Sequence, residues 1–84
     1  MKRFFGMMPS DKIKKEEHFR DKSNLEIIIQ AGENGWSILY ADGSSLYRDE
    51  TKDTEDNFKE AYDEATKTLG ELTKVEAEEC WEEA

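Results

Sequence analysis

Residues 27–47 read IIIQAGENGWSILYADGSSLY, a stretch that contains two turn signals and many of the large apolar residues of the chain. Its three consecutive isoleucines are β-branched and favour an extended strand. The dipeptides Asn34-Gly35 and Asp42-Gly43 are typical of two-residue type I′ turns, whose central residues need a positive φ. The pattern predicts an antiparallel meander with strands over residues 25–32, 36–41 and 44–48. A fourth strand, at the edge of the sheet, is expected over residues 16–21.

The two turns also predict a strand register and therefore two sheet faces. With Asn34-Gly35 as the first loop, Ile29 lies opposite Tyr40; with Asp42-Gly43 as the second, Leu39 lies opposite Leu46. Side chains alternate along a strand. The larger face is then predicted to contain Leu25, Ile27, Ile29, Ala31, Trp36, Ile38, Tyr40 and Tyr47. The other face is predicted to contain a row of Ile28, Leu39 and Leu46.

Residues 54–69 have the apolar spacing of an amphipathic helix, which is expected to cover the larger sheet face. Asp53 or Thr54 can cap its start, and Gly70 can end it. A short acidic helix is predicted over residues 73–83, because Thr73 and Glu76 have the spacing of a capping box. The predicted fold is α+β: one domain over residues 1–84, with an apolar N-terminal segment (1–10), a three- to four-stranded antiparallel sheet (16–48), one main helix and a C-terminal helix.

The chain has 84 residues, enough for one small domain. Cys80 is the only cysteine, so the fold does not depend on an internal disulfide and a reducing compartment is expected. The apolar run Phe4–Met8 has five residues, whereas a signal-peptide core needs roughly 7–15 and a membrane span about 20. We expect a cytoplasmic protein without a membrane partner.

Catalytic and cofactor motifs are not expected. His18 is the only histidine, and its spacing from Cys80 matches no nucleophilic family signature. The glycines of the hairpins do not form a phosphate loop, since none opens a helix. The acidic run Asp49–Asp56 lacks the central glycine of a calcium-binding loop. We predict no enzyme activity and no catalytic, cofactor-binding or metal site.

The helical segment DTEDNFKEAYDEATKTLG, residues 53–70, follows a predicted three-stranded sheet. Over about 35 residues this arrangement resembles the plant-type ethylene-response DNA-binding domain and its integrase relatives, in which a similar helix backs a DNA-reading sheet. That family reads DNA with arginines on its strands, whereas here the strands offer only Arg48 and Arg20. Phosphate contacts supply most DNA affinity. Because the chain has a net charge of −9, direct nucleic-acid binding is the third-ranked hypothesis.

The distribution of charge supports the first-ranked hypothesis. Residues 1–22 have a net charge of +3 and residues 49–84 a net charge of −10. Carboxylates on a rigid scaffold can imitate the phosphates of nucleic acid and occupy a basic groove. The candidate partner-binding residues are Asp49, Glu50, Asp53, Glu55, Asp56, Glu60, Asp63 and Glu64. The size, charge and lack of catalytic motifs are similar to those of small phage-encoded inhibitors such as anti-CRISPR and anti-restriction proteins. A merely solvated helix face is the alternative.

The second-ranked hypothesis is a protein-interaction or homo-oligomerisation module that uses the second sheet face. Its candidate residues are Phe4, Phe5, Met7, Met8, Ile28, Leu39 and Leu46. The N-terminal residues could cover the apolar row within one chain, or the row could bind a partner or a second copy in a homodimer.

Overall fold

The isoleucine-rich segment forms the central strand of a five-stranded antiparallel sheet in the computed structural model, which describes residues 12–75. The elements are β1 (Lys15–Arg20), β2 (Glu26–Ala31), β3 (Gly35–Tyr40), β4 (Ser45–Asp49), α1 (Thr54–Leu69) and β5 (Thr73–Val75). The strand order is β4-β3-β2-β1-β5. The predicted α+β class is confirmed, and the sheet has one strand more than expected. The predicted apolar segment 1–10 and residues 76–83 of the predicted second helix lie outside the described residues.

The unexpected strand is β5, and it shows that the predicted helix start at Thr73 is wrong. Thr73 pairs with Arg20 and Val75 pairs with His18. The edge of β1 offers unpaired backbone groups to this short β-branched segment. A short, glutamate-rich helix is only marginally stable in water. Sheet pairing therefore prevails over the capping-box spacing at residues 73–75.

The loop between β2 and β3 is Glu33-Asn34, one residue earlier than predicted. The amide of Gly32 donates to the carbonyl of Gly35 at 2.9 Å, and Ile29 pairs with Ile38 instead of Tyr40. Because this register differs from the predicted one by two residues, every side chain of β2 and β3 stays on its predicted face. A Cβ atom on Gly35 would collide with the carbonyl oxygen of Arg48, so the close approach of β4 requires glycine there.

The loop between β3 and β4 has three residues, Ala41–Gly43, and it corrects the predicted faces of β4. The amide of Tyr40 donates to the carbonyl of Ser44 at 2.9 Å, and Gly43 has a φ of 100°. A glycine with positive φ is typical of the third position of such loops. The resulting one-residue shift turns β4 over. Leu46 lies beside Ile38 on the helix side and Tyr47 beside Ser37 on the other, the reverse of the prediction.

The predicted helix is confirmed at both ends, as α1. Asp53 occupies the capping position, but its side chain makes no capping hydrogen bond; its backbone carbonyl accepts from Asn57. Gly70 has a φ of 85° and donates its amide to the carbonyl of Thr66. The helix packs on β2 and β3 over a buried core of Phe19, Ile27, Ile29, Ala31, Trp36, Ile38, Phe58, Ala61, Ala65 and Leu72.

The centre of the opposite sheet face is also buried, but it contains polar side chains. Ile28 and Leu39 are 0% and 3% exposed and form a cluster of two. Next to them, Gln30 donates to Glu16 at 3.3 Å and accepts from the hydroxyl of Ser37 at 3.2 Å. The predicted apolar row is therefore shortened to two residues, and those two are not an exposed patch.

Candidate functional site

Three of the eight candidate acidic residues form one stripe on α1. Asp56, Glu60 and Asp63 are three or four positions apart, on the side of the helix opposite Phe58 and Ala61. Asp56 and Asp63 are exposed, and Glu60 is partly exposed. Successive residues of this acidic stripe are about 4.5–6 Å apart along the helix axis. The stripe is therefore a line of negative charge on a rigid element.

The other candidate acidic residues lie around this stripe, with one exception. Glu64 flanks it on α1, and Asp53 precedes the helix. Glu50 lies in the connection between β4 and α1. Asp49 pairs with Gly35, and by strand alternation its side chain belongs to the sheet face away from α1. The structure thus separates Asp49 from the helical residues with which it was grouped.

Four of the eight carboxylates are engaged by lysines. Lys52 lies 2.8 Å from Glu60 and 3.6 Å from Glu50, and the hydrogen bond to Glu60 is the main cause that raises the pKa of Lys52. Lys67 lies 3.9 Å from Glu64, and Lys15 lies 3.0 Å from Glu55. Within residues 12–75, the carboxylates of Asp49, Asp53, Asp56 and Asp63 make no ion pair. Two of these, Asp56 and Asp63, belong to the acidic stripe.

A groove of about 460 Å³ opens between β1 and α1, beside the acidic stripe. Its apolar lining consists of Phe19, Phe58 and Tyr62, and its charged lining consists of Glu17, Glu55, Asp56 and Lys59. The rings of Phe19 and Tyr62 meet edge to face with centroids 5.3 Å apart. Sequence reasoning missed this groove, because it forms between elements about 35–45 residues apart in the chain. The alternation of aromatic and acidic residues over 55–62 is the only local signal for it.

Lysine side chains reach two of the three groove carboxylates. The ammonium nitrogen of Lys15 lies 3.0 Å from Glu55 and 4.4 Å from the ring centroid of Phe58. The Lys15 side chain is only 28% exposed. Lys74 of β5 lies 3.5 Å from Glu17. Asp56 is the groove carboxylate that makes no ion pair with another residue of the described range.

His18 is buried on the face of the sheet away from α1. Its Nδ1 atom lies 3.8 Å from a carboxylate oxygen of Glu26 and has no hydrogen-bond partner within residues 12–75. Cys80 lies outside the described residues. In the described range no three His, Cys, Asp or Glu side chains are placed to hold a metal ion.

The residues of the apolar alternative are not brought together as predicted. Leu46 is 39% exposed and lies on the helix side, whereas Ile28 and Leu39 are buried on the other side of the sheet. Phe4, Phe5, Met7 and Met8 lie outside the described residues. Their proposed role in binding stays a prediction.

Sequence and structure comparisons add no relative. No protein-family model matches the chain, and no curated protein or solved structure shows significant similarity to it. Across residues 12–75, no helix has the length and apolar character needed to cross a membrane.

Proposed function

We propose that this chain is a small non-enzymatic binding protein whose acidic stripe binds the basic surface of a protein partner. The observation that carries the proposal is the line formed by Asp56, Glu60 and Asp63 on the exposed side of α1, in which both aspartates make no ion pair within the described range. Such a line of negative charge is complementary to a basic protein surface that normally binds the phosphates of nucleic acid. The partner is thus a protein whose basic groove otherwise binds nucleic acid, and the chain acts as its inhibitor, as anti-CRISPR and anti-restriction proteins of phages do.

Electrostatics favours this function over a purely solvated helix. Summed charge of one sign raises the association rate with an oppositely charged surface and makes binding sensitive to salt. Two lysines, Lys59 and Lys67, also lie on the exposed side of α1, so this side of the helix is mixed in sign although the acidic stripe itself is negative. The negative field therefore depends on the pair Glu60 and Asp63 and on Asp56, and changes at these positions should have larger effects than changes elsewhere.

The test reverses charge on the acidic stripe and compares it with a reversal of the same size elsewhere. In Glu60→Lys/Asp63→Lys the stripe becomes positive, while Glu33→Lys/Glu71→Lys changes the net charge equally at two exposed residues outside the helix. Proteins retained from an extract of the source cells are identified and then challenged with duplex DNA. We expect the stripe variant to bind the retained protein about tenfold more weakly or worse, because like charges would face each other. We expect DNA to release that protein from the unmodified chain.

Two results would contradict the proposal. One is equal retention by the stripe variant and by the control variant. The other is a retained partner that duplex DNA cannot displace, because a mimic and the nucleic acid must compete for one surface. Circular dichroism of both variants checks that α1 is intact.

The two alternatives have less support. Ile28 and Leu39 are buried within one chain, which leaves little apolar surface there for a homodimer. The two strand arginines point to opposite sheet faces and are engaged, Arg48 over the ring of Trp36 and Arg20 with Glu26. A DNA-reading sheet needs its basic side chains on one face.

A cytoplasmic location is proposed from the lone Cys80.

A further inference from the structure

The groove between β1 and α1 combines two features that recognise a cation. Aromatic rings attract cations through the negative charge on their faces. Carboxylates pair with guanidinium and ammonium groups through charge-assisted hydrogen bonds. Phe58 and Tyr62 supply rings, while Glu55 and Asp56 supply carboxylates from the same helical turns. The lining has three carboxylates and one lysine, so its own charge is negative.

The protein already holds a cation at this groove. Lys15 of β1 places its ammonium nitrogen 4.4 Å from the Phe58 ring centroid and 3.0 Å from Glu55, two residues of the lining. Both contacts that an incoming cation would make are therefore made by a side chain of the same molecule. The position of Lys15 shows that a cation is accommodated beside this ring and this carboxylate.

We infer that this groove receives an arginine side chain of the partner, and that Lys15 is displaced when it does. Arginine fits better than lysine, because its planar guanidinium stacks on aromatic rings, pairs with carboxylates through two hydrogen bonds and is less strongly hydrated than an ammonium group. Asp56, which makes no ion pair within residues 12–75, would remain available for this pairing after Glu55 is freed from Lys15. The inference rests on the proposed function for the source of the arginine, a basic protein.

Displacement predicts a specific effect of Lys15 on affinity. Each incoming guanidinium must replace the contacts of Lys15 with Phe58 and Glu55, so these contacts reduce the apparent affinity. Replacing Lys15 by methionine keeps its apolar stem against Phe58 and removes the charge. The affinity for a guanidinium probe should then rise about two- to fivefold, the range that one exposed cation–π contact supports.

The experiment uses N-acetyl-arginine amide as the probe and backbone amide shifts in NMR spectra as the readout. The probe is titrated into the full chain, into Lys15→Met and into Lys67→Met. The control removes one positive charge from a residue on α1 that is not part of the groove lining. We expect shifts at Glu55, Phe58 and Tyr62, and tighter binding by Lys15→Met than by Lys67→Met. The neutral citrulline analogue should leave the chemical shifts of those backbone amides unchanged.

A second matched pair tests the carboxylate. Asp56→Asn removes one charge from the groove lining, and Asp63→Asn removes one charge from the acidic stripe outside the groove. We expect probe affinity to fall about two- to fivefold in Asp56→Asn relative to Asp63→Asn, as for loss of one partly exposed ion pair. Equal affinities in either matched pair of variants, or equal shifts with citrulline, would overturn the inference.

This titration can fail separately from the proposed function. The probe needs no macromolecular partner, and Glu60 and Asp63 do not line the groove. If Glu60→Lys/Asp63→Lys abolishes partner binding but the probe does not bind, the acidic stripe acts without an arginine pocket. If the probe binds but partner capture is indifferent to that variant, the pocket stands and nucleic-acid mimicry is wrong.

Discussion

Both faces of the sheet contain buried side chains, but they differ in chemistry. The face under α1 is an apolar core in which Ile27, Ile29 and Ile38 have no solvent exposure. Within residues 12–75, the apolar residues buried on the opposite face are Ile28 and Leu39, together with the polar side chains of His18, Gln30 and Ser37. Burial alone therefore does not distinguish the faces. Apolar area dominates the stability of the first, whereas hydrogen bonds contribute directly on the second.

The polar side chains of the second face help to specify the register of the sheet. A slip of β2 by one residue would turn its side chains over and bring Gln30 under the helix, away from Ser37 and Glu16. Their hydrogen bonds of 3.2 and 3.3 Å would be lost, and buried polar groups would be left without partners. The polar face thus penalises misregistered sheets that an all-apolar pair of faces would tolerate.

The largest loss of stability is expected from substitutions of two neighbouring residues on β3. Ile38 lies under α1 and Leu39 lies on the opposite face, and both are buried aliphatic residues of equal size. We expect Ile38→Ala to reduce the free energy of unfolding by about 3–4 kcal/mol and Leu39→Ala by about 2 kcal/mol, because the cavity under the helix is surrounded by more apolar side chains. Urea titrations of both variants give the two values. Equal losses would show that the two faces contribute alike.

The next comparison concerns buried amides. Asn57 is fully buried on the helix side and donates to the carbonyls of Gly32 and Glu50 at 2.8 and 2.9 Å. Gln30, on the other face, donates only the longer bond to Glu16. We expect Asn57→Ala to cost about 2 kcal/mol and Gln30→Ala about 1 kcal/mol, because the first leaves two carbonyls without this donor. A larger loss in Gln30→Ala, by thermal or urea unfolding, would reverse the ranking.

The smallest change in stability is expected in the loop between β3 and β4, which determines the faces of β4. The amide and hydroxyl of Ser44 donate to Asp42 and lower the pKa of that carboxyl below its ordinary value of 3.8. A lowered pKa stabilises the folded state above about pH 3.8, and this contribution is lost as the pH falls through the folded pKa. The stability difference between the unmodified chain and Asp42→Asn should therefore be constant near neutrality and change only in acid. Unfolding curves between pH 7 and pH 3 measure it, and a difference that does not change with pH would exclude this role for Asp42.

The sequence predicted those elements in which one periodicity dominates. The spacing from Phe58 to Leu69 admits only a helix, so both ends of α1 were correct. The faces of β2 and β3 were correct although the turn was not, because a shift by two residues preserves alternation. β4 was assigned to the wrong faces because Asp42-Gly43 suits both a two-residue and a three-residue loop, which differ by one residue in register.

Tertiary contacts account for what the sequence did not predict. Thr73–Val75 is too short to show a strand pattern, and its pairing is decided by the open edge of β1. The acidic residues of α1 were identifiable from composition, but which of them pair with lysines depends on Lys15 and Lys52, which come from other parts of the fold. The groove needs β1 and α1 side by side, a contact that no local pattern encodes.

The pairing of β5 with β1 has a consequence for cooperativity. His18 and Val75 are partners, so nearly the whole described chain is enclosed between two paired residues. The strands β1 and β5, from the beginning and the end of this range, are neighbours in one sheet. No continuous part of the range therefore forms a unit with its own core. Loop closure on this scale is costly until the intervening elements have formed. Glu17 of the groove lining lies on β1 and forms its ion pair with Lys74 of β5, so this groove carboxylate is neutralised only when the chain has closed.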